Sequence, residues 1–225
     1  MATYLILRAK NDALRVAESL QNQGQKVIIE PMFFVTKLAV NIGNLNPQAL
    51  IITSANACDA IIHSNFAHNI KIFAIGPQSA KRLIAEGYKN ILYAPKKSAK
   101  SLKNLIAQRA SPQNGALLYF RGDCITLDFK LELEPKGFEI HQFFAYKINW
   151  QEKFSTQFLQ QAYKEKIDFV LLYSQNSVKK FYELAKNNNM LEYFSNSKLL
   201  CLSSKIAATA KKLGFKNLGY INKDI

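Results

Sequence analysis

Two short stretches set hydroxyl and amide side chains at the same spacing, ITSAN at 52–56 and YSQNS at 173–177. In each, an apolar run ends on a Ser, one residue separates that Ser from an Asn, and helical spacing follows. The pattern reads as a strand, a tight turn and a helix N-terminus. The first backbone N–H groups of a helix are unsatisfied and carry partial positive charge, so such a turn can receive an anion. Candidate contacts are Thr53, Ser54 and Asn56 at one turn, and Ser174, Asn176 and Ser177 at the other. Two further turns have the same character: Gly76, Pro77, Gln78 and Ser79, then Ser203, Ser204 and Lys205. Ser, Thr and Asn are also the preferred helix N-caps, so each of these residues caps its helix, contacts a ligand, or does both. Arg8 and Arg121 each end an apolar run. Either takes a carboxylate or pairs with a nearby acid, Asp12 or Asp123.

The elements that must carry these turns alternate. Strands are expected near 4–8, 27–30, 50–53, 71–75, 90–93, 116–121, 138–142, 168–174, 198–202 and 217–220. Helices are expected near 11–23, 55–65, 77–87, 98–109, 123–136, 151–164, 176–187 and 204–213. Most strands are continuous apolar runs, as in parallel sheets covered on both faces. Gly87 follows Gly76 by eleven residues, and Gly214 follows Ser203 by the same eleven. Arg8 precedes Gly24 by sixteen, and Arg121 precedes Gly137 by sixteen. The chain therefore reads as two copies of one five-stranded unit, interleaved. The aromatic, extended segments EPMFFVTKL and HQFFAYKINW make sense of the interleaving if they run side by side. The expectation is an α/β protein of two doubly wound, flavodoxin-like parallel-sheet domains, the first discontinuous. Domain one takes 1–32 and 147–225 and domain two 37–142, with 33–36 and 143–146 as linker strands.

Composition narrows the function classes. The formal charge is +14, which favours anionic partners. The basic residues are 25 Lys against 5 Arg, spread along the chain. Nucleic-acid sites lean on Arg, and neither an Arg-rich helix nor an aromatic RNA-binding motif is present, so no nucleic acid is expected. No apolar stretch approaches the roughly 20 residues of a membrane span, and the N-terminus lacks the pattern of a signal peptide. No membrane contact and a cytoplasmic location are expected. Cys58, Cys124 and Cys201 lack any CxxC spacing and read as free thiols. His63, His68 and His141 show no paired-ligand spacing, so no metal is expected.

The sequence resembles the uroporphyrinogen-III synthases along essentially its whole length. The resemblance rests on the first strand ending in Arg8, Glu30-Pro31, ITSANA at 52–57, IGPQSAKRL at 75–83 and LYFRGD at 118–123. It continues through Tyr146, YSQNSV at 173–178 and LSSKIAATAKKLGF at 202–215. No single fragment is specific; their order and spacing carry the likeness. The resemblance implies two α/β domains with a cleft between them, no cofactor and no metal. It implies hydroxymethylbilane, a linear tetrapyrrole polycarboxylate, as substrate and uroporphyrinogen III, with ring D inverted, as product. Ring closure begins with loss of the ring A hydroxyl, which one acid would assist. The family places a cleft-facing tyrosine in the return linker, which makes Tyr146 the candidate; otherwise it packs the hinge with Phe143 and Phe144. A monomer is expected, with transient contact with the preceding hydroxymethylbilane synthase. Relatives often carry Gly-Pro-x-Thr in both domains. Here domain two reads Gly76-Pro77-Gln78-Ser79, but domain one reads Ser203-Ser204-Lys205-Ile206, so Lys205 stands in as a charge contact. The chain also stops at Ile225, soon after its last strand, which would leave one face of domain one thinly covered. The competing reading is a two-lobed, non-catalytic binding protein for an anionic small molecule.

Overall fold

The computed structural model describes residues 1–222, so the expectation drawn from the stop at Ile225 lies outside them. In chain order the elements begin with β1 (Thr3–Ile6), α1 (Lys10–Asn22), β2 (Lys26–Ile29), β3 (Phe33–Lys37), β4 (Ala49–Ile52) and α2 (Cys58–His63). Next come β5 (Lys71–Ala74), α3 (Pro77–Ala85), β6 (Ile91–Tyr93), α4 (Ala99–Arg109), β7 (Leu117–Gly122), α5 (Phe129–Leu133) and β8 (Ile140–Trp150). The chain then forms α6 (Thr156–Ala162), β9 (Phe169–Leu172), α7 (Gln175–Asn187), β10 (Lys198–Cys201), α8 (Ser204–Lys212) and β11 (Leu218–Tyr220). These elements form two compact units. One is Met1–Phe34 with the described part of Asn149–Ile225, and the other is Val35–Ile148.

The first unit holds a five-stranded sheet in the order β2-β1-β9-β10-β11, parallel throughout. Numbered by their succession within the unit, its strands lie 2-1-3-4-5, the flavodoxin-like doubly wound order. The second unit pairs β8-β7-β4-β5-β6, again parallel, with β3 added outside β8. Counting from β7 gives 2-1-3-4-5 once more. The two units thus share one order and differ by where the chain enters it, which is why their repeats interleave. Right-handed βαβ crossovers and continuous apolar runs suit this arrangement. All four residues of β4 are fully buried, as a sheet covered on both faces requires.

Each sheet has a core on either face. In the first unit Leu5, Val170, Leu172 and Leu199 face α7 residues Val178, Phe181 and Leu184, while Ile6 and Leu171 face α1 residues Ala13 and Leu20. In the second, Leu50, Ile52 and Leu118 meet Ile61 and Leu83, and Ile51, Phe73 and Tyr119 meet Leu102, Ile106 and Phe129. Each Val, Leu, Ile or Phe among them contributes about 1.5–3 kcal/mol by leaving water.

Three elements differ from the sequence expectation. The strand expected at 138–142 continues unbroken to Trp150 and lies beside β3, with Leu38 N–H donating to the Ala145 carbonyl at 3.0 Å. The helix expected over 123–136 shrinks to α5. Its start is set by Asp128, whose carboxylate accepts from the N–H of Lys130 at 2.9 Å and of Leu131 at 3.4 Å. Pro135 then tightens its last turn into a 3-10 helix at Glu134–Lys136. Ser155 does the same for α6, accepting from Phe158 N–H at 3.1 Å, so residues 151–155 stay outside the helix.

Candidate functional site

In doubly wound sheets, ligands bind at the carboxyl ends of the strands, where the order reverses. In the second unit this point lies between β7 and β4. Thr53 and Ser54 leave β4 there, and Ser54 Oγ accepts from Asn56 N–H at 3.2 Å to start a 3-10 turn at Ala55–Ala57. Thr53 Oγ1 lies 3.2 Å from the hydroxyl of Tyr119, which is only 1% exposed. Burial raises the Tyr119 pKa.

Tyr146 reaches the same edge from β8. The register of β7 and β8 slips between Arg121 and Gly122, so Gly122 pairs with Tyr146. The Tyr146 ring then passes directly over Gly122. A Cβ on Gly122 would lie 2.6 Å from the ring carbons, closer than side chains tolerate, so only glycine admits the ring. Tyr146 is 7% exposed. Burial raises its pKa above 10.0, with Ser54 as a hydrogen-bonding neighbour acting the other way. Near pH 7 it is therefore a neutral phenol with a proton to donate.

Arg121 stacks its guanidinium over the Phe144 ring, 4.4 Å from the centroid, and donates to the Gly122 carbonyl at 3.0 Å. Its Nε is buried without a hydrogen-bond partner. It makes no ion pair among the described residues. Asp123, the acid beside it, instead accepts from the N–H of Cys124 at 3.1 Å and of Ile148 at 3.3 Å.

At the end of β5, Gly76 caps α3 and Pro77 opens it. Gln78 is exposed, whereas Ser79 is only 4% exposed. The stem of Lys97 covers Gly76, its Cγ 3.6 Å from where a Cβ would be. Asp59 clasps the neighbouring turn. It pairs with Lys37 at 2.6 Å and with Arg82. Lys37 also donates to the Asn56 carbonyl at 3.0 Å, and Arg82 to the Ala55 carbonyl at 3.1 Å.

In the first unit the corresponding point lies between β1 and β9. Arg8 pairs with Asp12 at 3.0 Å and lies over the Tyr173 ring, 4.4 Å from its centroid. That approach is face-on, a cation–π geometry, and leaves the buried Tyr173 hydroxyl without a hydrogen-bond partner. Ser174 caps α7, accepting from Ser177 N–H at 3.0 Å, and its hydroxyl lies 2.7 Å from that of the buried Ser177. Asn176 is exposed. Ser204 and Lys205 are exposed at the start of α8, and Ser204 lines a groove of about 300 Å³ with Ala207, Lys211 and Tyr220. Ile206 is 6% exposed and packs in the core. It occupies the position of Ser79, which is equally buried, so this helix position faces inward in both units.

Each unit thus gathers its own sequence-derived residues at one sheet edge: Thr53, Ser54, Asn56, Gly76, Gln78, Ser79, Arg121 and Tyr146 in the second, Arg8, Ser174, Asn176, Ser177, Ser204 and Lys205 in the first. Sequence reading missed Tyr119, Asp59, Lys37, Arg82 and Lys97. Tyr119 did leave a signal, since it lies two residues before Arg121 and strand side chains repeat with period two. Among the described residues no three His, Cys, Asp or Glu side chains are placed to hold a metal, and no helix is long and apolar enough to cross a membrane.

Two doubly wound units of one strand order, interleaved along the chain, define a duplicated α/β protein. A family model described as Uroporphyrinogen-III synthase HemD matches residues 15–219, and the chain belongs to that family. Its fold is similar to uroporphyrinogen-III synthetase from Helicobacter pylori 26695, with a TM-score of 0.65 and 18% identity over 99% of this chain and 93% of that one. A mutant uroporphyrinogen III synthase from the extremely thermophilic bacterium Thermus thermophilus gives a TM-score of 0.58 and 12% identity, covering 99% of this chain and 94% of that one. An uncharacterised protein of Rickettsia prowazekii (strain Madrid E) is 42% identical over 57 residues, which is 25% of this chain and 21% of that protein. The matched segment therefore spans about a fifth of the length of that curated relative.

Proposed function

We propose that this protein closes hydroxymethylbilane to uroporphyrinogen III with inversion of ring D, in tetrapyrrole biosynthesis. The observation that carries this reading is family membership across residues 15–219. The substrate is a flexible polycarboxylate, and both units offer helix N-termini, hydroxyls and cations at their strand ends. Loss of hydroxide from ring A leaves a cationic azafulvene. The substituted carbon of ring D attacks it to form a spirocyclic pyrrolenine, which fragments and recloses. The protein's task is to hold ring D and to ease departure of the hydroxyl.

Tyr146 is the acid in this reading. It is a buried neutral phenol, and its proton converts the leaving hydroxide to water. Thr53, Ser54, Asn56, Gly76, Gln78 and Arg121 receive carboxylates on the second unit; Ser79, turned into the core, does not. Arg8, Ser174, Asn176, Ser177, Ser204 and Lys205 do so on the first. The protein works in the cytoplasm as a monomer, taking its substrate from hydroxymethylbilane synthase.

The test supplies hydroxymethylbilane made in situ and separates the oxidised I and III isomers. The expected result is isomer III well above the spontaneous level. Isomer I alone, at the spontaneous rate, would overturn the reading.

A further inference from the structure

We propose that Tyr119 is a positioning residue: it fixes the direction of the Thr53 hydroxyl, so that Thr53 presents its own O–H to a carboxylate of the substrate. The proposal rests on the functional reading above and adds a residue that acts through another.

The geometry starts from two adjacent strands. β4 and β7 pair with Ile51 opposite Tyr119, which brings Thr53, two residues on, to the Tyr119 hydroxyl. The Tyr119 ring is locked edge-on against Phe129, with centroids 5.0 Å apart and planes at 72°. The residue is 1% exposed, so its hydroxyl is largely withdrawn from water. A phenol has one proton to give, and a buried donor left unmatched is costly. Thr53 Oγ1, 3.2 Å away, is the partner the structure provides for that proton. The raised pKa of Tyr119 keeps the proton in place at neutral pH.

The consequence falls on Thr53. Its oxygen already accepts from behind, so its rotor is set and its proton points away from Tyr119. Thr53 itself is only partly buried, so the outward side is open. A hydroxyl held in this way is a donor, and its natural ligand is an anion rather than an ammonium or N–H group. The reverse polarity would strand the Tyr119 proton in the core. The first unit lacks the device. Ile6 occupies the Tyr119 position, and Tyr173 occupies that of Thr53, with its hydroxyl unpartnered.

The experiment compares wild type, Thr53→Val, Tyr119→Phe and the double variant by kcat and KM for isomer III, with Tm measured on each. Tyr119→Phe is expected to lose about fivefold in kcat/KM, mostly through KM, and Thr53→Val about tenfold. The double variant should be no worse than Thr53→Val, because Tyr119 acts only through that hydroxyl. Independent, multiplying losses would overturn the proposal, as would an unchanged Tyr119→Phe. Should Tyr119→Phe fail to fold, Thr53→Ser and Thr53→Val carry the test. Ser keeps an acceptor and should hold Tm near wild type. Val strands the buried phenol proton and should lower Tm by about 3 °C or more. Equal Tm for Val and wild type would refute the pairing. A wild-type protein that makes no isomer III would instead refute the functional reading, before any variant is compared.

Discussion

The ITSAN and YSQNS turns occupy the same place in two units of one fold, yet they are braced by different chemistry. In the second unit the brace is ionic: Asp59 holds Lys37 and Arg82, and both cations also reach turn carbonyls. In the first unit Lys179 stands where Asp59 does, and Thr209 where Arg82 does. There the brace is a neutral hydrogen bond, Gln175 Nε2 to Thr209 Oγ1 at 2.9 Å. The arginines diverge in the opposite sense. Arg8 is matched by Asp12, whereas Arg121 has no ion pair among the described residues. The second unit therefore spends its acid on fixing the turn and leaves its strand-end arginine available. The fold conserves where groups stand, and the side chains decide which unit handles charge.

The largest test of this contrast concerns Tyr146 and Tyr173, one at the site edge of each sheet. Tyr146→Phe should lower kcat for isomer III by about a hundredfold, the scale of losing a general acid. Tyr173→Phe should change kcat by less than about twofold and leave stability unchanged or slightly higher, because its buried hydroxyl has no partner to lose. Similar losses in both would mean that the units share the chemistry evenly. The pH profile adds a second check. Burial raises the Tyr146 pKa above 10.0, so the acid form persists through neutral pH and is lost only as pH rises beyond that value. The alkaline fall in rate should belong to wild type and be absent from Tyr146→Phe.

A smaller effect separates Cys58 from Val178, its counterpart in the first unit. Both are fully buried at the start of a helix. Burial pushes the Cys58 thiol from 9.0 to about 11. The unfolded thiol ionises first, so its contribution is intact below pH 9 and lost as pH rises toward about 11. Two pH units correspond to about 2–3 kcal/mol. Cys58→Val should flatten that part of the stability curve, read as urea midpoints at pH 8 and 11. Buried tyrosines add their own alkaline loss, so the comparison is the difference between variant and wild type. Identical slopes would remove Cys58 from the account.

Much of this architecture is legible in one dimension because its signals are local. Continuous apolar runs such as ALII and FVLL announce strands covered on both faces. Gly87 and Gly214 close their helices with φ of 89° and 94°, and both are visible as repeats of one spacing. The strand β8 was harder. Its aromatic run looks like a strand followed by a linker, and only the neighbouring β3 shows that pairing continues to Trp150. α5 misleads for a related reason, since DFKLELEP has helical content but Asp128 decides where the helix starts. At the site, Ser54 and Ser174 were readable from turn chemistry. Lys37, Arg82 and Lys97 were not, because each acts on a turn contributed by another element. Ser79 and Ile206 show a further limit. A position three residues into a helix can point at the core, and no turn motif records which way it faces.

The smallest expected effect isolates the arginines. Arg8 and Arg121 end equivalent strands, and each stacks on an aromatic ring at 4.4 Å. What distinguishes them is Asp12, one helical turn along from Arg8 and partly exposed. Asp12→Asn keeps the side chain's size but removes its charge. Stability should fall by at most about 1 kcal/mol, from an exposed ion pair and a favourable charge in the first turn of α1. Affinity for the polycarboxylate substrate should rise by about two- to threefold, because the freed guanidinium then resembles Arg121 and one repelling acid is gone. The gain should shrink as salt increases, since an exposed charge contact is screened. A KM that is unchanged at low salt would mean that Arg8 serves only to pack Tyr173, and that carboxylate binding by arginine belongs to the second unit alone.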